Sequence, residues 1–121
     1  MDTEALKNKI NEQFTQLRSK SAFINENDLN TINELIDDCL SFGFTELLIN
    51  NIILKCICLS NINQYESALE TITDGIQISE KYHNDRLLAL CQNQCGILHW
   101  NYCFYDKAVD NFLIALKLFK E

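Results

Sequence analysis

Cys91, Cys95, His99 and Cys103 follow one another at steps of four residues. That spacing sets side chains on one slowly turning face of a helix, and these residue types bind zinc. A helix is too long for all four to meet one ion. At a rise of about 1.5 Å per residue the outer pair stand about 18 Å apart, so at most two neighbours can share an ion and another helix must supply the rest. Cysteine is also a common small core residue, and core packing is the favoured reading of the series. Cys56 and Cys58 point to different faces of their helix and make a poorer pair still. Asp37 and Asp38, as consecutive helical positions, diverge by about 100° and read as solvated charges rather than an acid–base pair. The two histidines, His83 and His99, have no glycine-flanked serine beside them, and no glycine-rich loop exists to cradle a phosphate. No catalytic, cofactor-binding or metal-binding residue is therefore expected, and the segment reads as no enzyme.

The elements that carry these residues are helices. Across 121 residues there is no proline and there are three glycines, so helix breakers and the suppliers of tight strand turns are scarce. With 47% hydrophobic and 22% charged residues the chain fits one domain able to bury a core without staples. Its formal charge of −7 argues against nucleic acid and anionic membranes as partners. No Lys or Arg falls between Lys20 and Lys55, and this acidic stretch reads as a solvated face. Six cysteines without the apolar core of a signal peptide point to a reducing cytoplasm. The longest greasy run, Leu47 to Leu59, is too short and too polar for a bilayer span.

Leu6, Ile10, Phe14 and Leu17 recur at three or four residues and predict a first helix over about residues 4–21. Asn25 to Asp28 offer caps for a second, with an inward stripe of Leu29, Ile32, Ile36, Cys39 and Leu40. Gly43 should close it in the left-handed conformation, and Thr45 is placed to cap a third helix running to about Ser60. Two more are expected from Gln64 to Tyr82 and from Asp85 to Tyr102, and a sixth from Tyr105 to residue 121. Short connections predict antiparallel hairpins.

Sliding the chain by 40 residues lays Tyr65, Ala68, Leu69, Ile72, Gly75 and Ile76 on Tyr105, Ala108, Val109, Phe112, Ala115 and Leu116. Such a period marks stacked hairpins, each covering its neighbour's apolar face. The small residues Gly96, Ala108 and Ala115, and before them Cys56, Ala68 and Gly75, allow paired helices to approach. In the order Gly96, Tyr105, Ala108, Phe112, Ala115 the chain resembles the tetratricopeptide repeat family, and Cys56, Tyr65, Ala68, Ile72, Gly75 repeat the pattern. The resemblance covers Leu47 to Glu121. It departs from the family at Ile52 and Lys55, and at Gln92 and Cys95, where a Trp-Leu pair is usual, and the terminal proline is missing.

The resemblance implies an all-α array of three antiparallel hairpins and six helices, a TPR-like α-solenoid in one domain. Residues 1–43 form a degenerate or capping hairpin, with repeats at 44–83 and 84–121. Units of about 40 residues look like those of bacterial signalling proteins. It implies a protein- or peptide-binding module, a scaffold without cofactor, in the N-terminal sensory or regulatory part of such a protein. The alternatives are a regulatory segment of a larger enzyme such as a GGDEF diguanylate cyclase, and a self-associating domain that forms a homodimer through Leu113, Leu116 and Phe119 of the C-terminal helix. The family's concave surface, carried onto this chain, falls on Asn50, Ile53, Leu54, Ile57 and Asn61, then on Leu90, Asn93, Gln94, Ile97, Trp100 and Asn101. These places hold no lysine or arginine to clamp a terminal carboxylate. An apolar groove dotted with asparagines suits an amphipathic helix or an extended peptide, and Trp100 is the favoured contact.

Overall fold

The computed structural model describes residues 2–20 and 23–120, and among them it contains six helices and no strand. They are α1 (Thr3–Lys20), α2 (Glu26–Phe42), α3 (Thr45–Asn61), α4 (Tyr65–Lys81), α5 (Asp85–Asn101) and α6 (Tyr105–Lys120). The expected ends of the first helix at residue 21 and of the last at residue 121 lie outside the described residues. Each helix contacts the next, and α3 also touches α1 and α5, whereas no contact joins α2, α4 and α6 among the described residues. One layer is thus α1, α3 and α5, and the other α2, α4 and α6, an all-α array of antiparallel hairpins.

The turns repeat with the helices. Gly43, Asn63, His83 and Cys103 adopt φ of 70°, 61°, 52° and 67°, each 20 residues after the last. The next residue donates back into the helix it leaves: Phe44 to Cys39, Gln64 to Leu59, Asn84 to Ser79 and Phe104 to His99, at 3.0, 2.8, 3.1 and 2.8 Å. These are Schellman closures, which satisfy carbonyls that a helix end leaves bare. Gly43 has the expected left-handed conformation. The three later turns use Asn, His and Cys where glycine is favoured.

At the helix starts, Asn25 caps α2 in a reciprocal box with Asp28, and the Asn84 side chain accepts from the Leu87 amide at 3.0 Å. The Lys20 ammonium donates to Asp28 at 3.0 Å and holds that carboxyl below its ordinary pKa. Thr45 is not a cap. It is the first helical residue of α3, and the capping place belongs to Phe44, whose ring cannot accept a hydrogen bond. The stripe of α2 also differs from expectation: Leu35 is buried and Leu40 is 59% exposed. Leu40 follows Cys39 and is turned about 100° away from it, whereas Leu35 stands in line with the buried Ile32 and Cys39.

Helix α3 is the centre of the molecule. Neighbours on several sides bury nine of its residues, from Leu47 to Leu59, which explains a greasy run without a clean polar face. Fully buried Asn51 donates from Nδ2 to the Leu47 carbonyl at 2.9 Å, but its Oδ1 has no partner. Close approach explains the small residues. A Cβ on Gly96 would stand 2.6 Å from the Phe112 ring, and one on Gly75 would stand 3.1 Å from Cys91 Sγ and from Ile52. Ala68 and Ala108 are likewise buried. No described helix is long and apolar enough to cross a membrane.

Candidate functional site

The layer α1, α3, α5 carries the candidate site, because its helices lie side by side and alternate with turns that keep their faces in register. A depression of about 80 Å³ spans all three: Phe14 and Arg18 come from α1, Asn50, Ile53 and Ile57 from α3, and Gln94 from α5. A larger cleft of about 490 Å³ opens beside it, between the first half of α1 and the start of α3, with Lys7, Asn8, Asn11 and Glu46 on its walls. Asn50 lines both, so the two adjoin. Exposed Glu46 pairs with exposed Arg86 of α5 at 3.1 Å, a surface contact of small energetic weight.

The expected site residues fall into three groups. Asn50, Ile53 and Ile57 line the depression, half-buried, and Leu90 and Asn93 occupy the matching face of α5, half-buried and exposed respectively. Ile97 and Trp100 instead border an apolar pocket of about 230 Å³ with Phe112 of α6, and the Trp100 ring meets Tyr105 edge-on at 4.8 Å. Asn61 and Asn101 are exposed at helix ends, where Asn61 Nδ2 donates to the Ile24 carbonyl at 2.9 Å and ties the α1–α2 connection to α3.

Phe14, Arg18, Lys7, Asn8 and Asn11 were not among the expected groove residues, since the expectation drew only on α3 and α5. A signal existed, because the 40-residue slide lays Phe14 on Leu54. The expected places on α3 and α5 hold no cation, and α1 adds two beside them, Arg18 on the depression and Lys7 on the cleft.

The cysteine series diverges. Cys95 Sγ stands 3.9 Å from His99 Nδ1, Cys91 Sγ lies 3.7 Å from Ser79 Oγ, and Cys103 sits in the outward turn accepting from the Tyr105 hydroxyl at 3.4 Å. His99 Nδ1 is 2.9 Å from Asn111 Oδ1, and Asn111 Nδ2 donates to Gln92 Oε1 at 2.9 Å, a polar network that joins α5 to α6. Since the Asn111 amide nitrogen is engaged with Gln92, its oxygen faces the histidine and Nδ1 is the donor. Among the described residues no group of three or more His, Cys, Asp or Glu side chains is placed to hold a metal ion. Burial pushes Cys56 up to about 12 and Cys39 and Cys91 up to about 11, and raises Cys58 and Cys95 as well. These thiols stay protonated near neutral pH and are poor nucleophiles. Searches of family models, curated proteins and solved structures return no match to this chain.

Proposed function

We propose that this chain is a non-enzymatic binding module that takes a peptide or a helix of another protein into the α1–α3–α5 groove. The observation that carries this reading is that the cleft and the depression adjoin at Asn50, which sets open, partly apolar concavities in a row across α1, α3 and α5. Four of the polar side chains along them are amides, beside Glu4, Lys7, Thr45, Glu46 and Arg18. Asn8, Asn11, Asn50 and Gln94 can hydrogen-bond a peptide backbone, but they neither attack nor transfer protons at neutral pH. Arg18 and Lys7 add two places for acidic groups. The resemblance to long tetratricopeptide units extends the reading to a cytoplasmic, regulatory role in bacterial signalling, acting on a separate partner or on an attached catalytic domain.

The test is selection from a displayed peptide library on the full chain, followed by NMR shift mapping. Bound peptides should perturb the amides of Asn50, Ile53, Ile57 and Asn93. Arg18→Ala and Asn50→Ala should each weaken binding about two- to ten-fold with helical content unchanged. Peptides that map to α2 and α4, or that ignore both substitutions, would sink the proposal.

A further inference from the structure

Helix α6 leaves uncovered a face that its counterpart in the preceding hairpin has covered. On α4 the stripe Tyr65, Leu69, Ile72, Ile76 and Ser79 is covered: Ile72 and Ser79 are buried and the other three half-buried, with Ser79 Oγ 3.7 Å from Cys91 Sγ of α5 and the Tyr65 ring against Tyr102 and Phe104 beyond its end. Forty residues on, the same places of α6 hold Tyr105, Val109, Phe112, Leu116 and Phe119, of which only Phe112 is even half-buried. Phe119 is 53% exposed where Ser79 is sealed. These five positions recur at alternating steps of four and three, the spacing of a coiled-coil seam. The face is therefore built to receive a helix, and the apolar pocket formed by Ile97, Trp100 and Phe112 continues it onto α5.

The charges beside the seam say which helix. Asp106, Leu113 and Lys120 follow one another at seven-residue steps along one flank, acid at the start, base at the end and leucine in the middle. Laid antiparallel on itself about Leu113, this flank brings Asp106 to Lys120 and Lys120 to Asp106. The chain as a whole is at −7, which opposes self-association, yet α6 carries Asp106 and Asp110 against Lys107, Lys117 and Lys120. It is a helix on which two copies of an acidic chain can meet without net acidic repulsion.

We propose that α6 pairs antiparallel with α6 of a second copy about a two-fold axis at Leu113, giving a homodimer that seals the last hairpin. This interface lies on α6, outside the α1–α3–α5 groove, so the two proposals stand or fall separately.

The test is sedimentation equilibrium of the full chain across a dilution series. A concentration-dependent dimer is expected. Leu113 is 58% exposed, so Leu113→Glu should leave helical content intact while raising the dissociation constant by about 100-fold, because it sets two carboxylates together at the axis. Asp106→Lys and Lys120→Asp should each weaken the dimer by about ten-fold, and the double exchange should restore it. Within one chain these residues are about 21 Å apart along the helix, so only a second copy can supply the rescue. The exchange also opposes the helix dipole at both ends; recovery of pairing despite a lower melting temperature therefore supports the interface. A monomer at every concentration overturns the proposal, as does a monomer that takes up an added amphipathic peptide on this face. A dimer indifferent to Leu113→Glu, or one that the double exchange fails to restore, overturns it too.

Discussion

Asn51 holds a buried amide oxygen without a hydrogen-bond partner, at the centre of the most enclosed helix. Its Nδ2 contact is to the Leu47 carbonyl of its own helix, so removing the amide leaves little unsatisfied. Asn51→Leu should therefore stabilise the fold by about 1–2 kcal/mol in urea unfolding, because an unpaired acceptor leaves the core and a better helix former enters. A loss of stability would show that the oxygen serves a purpose in the fold. Single side chains are also where sequence reading was least complete. The places of Asn50, Ile53 and Ile57 beside the depression are those the family resemblance implied, whereas the Asn61 bond to Ile24 and the Trp100 contact with Tyr105 depend on where a turn or a neighbouring helix ends up. Spacing gives a direction around one helix and says nothing of what arrives from outside it.

At the scale of the element, the six helices were legible because apolar periodicity, Asn25, Gly43 and the 40-residue self-match agree. The cap of α3 and the Leu40 position were not, since a threonine near a helix start and a leucine one place past the stripe suit either reading. The left-handed turns at Asn63, His83 and Cys103 were also hidden, because their types are not glycine. A cysteine in that conformation is strained, whereas asparagine tolerates it. Cys103→Gly should raise stability by about 0.5–1 kcal/mol, and Asn63→Gly by less. Thermal melts of the two variants check the order, and an equal or reversed effect would mean that the Cys103–Tyr105 contact outweighs the turn.

Across the whole molecule, packing is uneven. α3 touches four helices, whereas α1 has thin contacts with α2 and α3 and buries only Ile10, Phe14 and Leu17. Opening free energy should follow that gradient. Native-state hydrogen exchange is expected to show α1 amides protected about ten-fold or more below those of α3, and uniform protection would mean that the array opens as one unit. Such a hierarchy would make one wall of the groove its most yielding part, so a ligand seated against Phe14 and Arg18 should slow exchange there first. The evenly spaced turns at 43, 63, 83 and 103 carry a different lesson. Chain length in this architecture is counted in quanta. A single inserted or deleted residue inside a rod swivels everything downstream by about 100° and scrambles each later interface, whereas a block of 40 returns direction, facing and closure together. A change of length inside the helices that spares every later interface is thereby a whole hairpin.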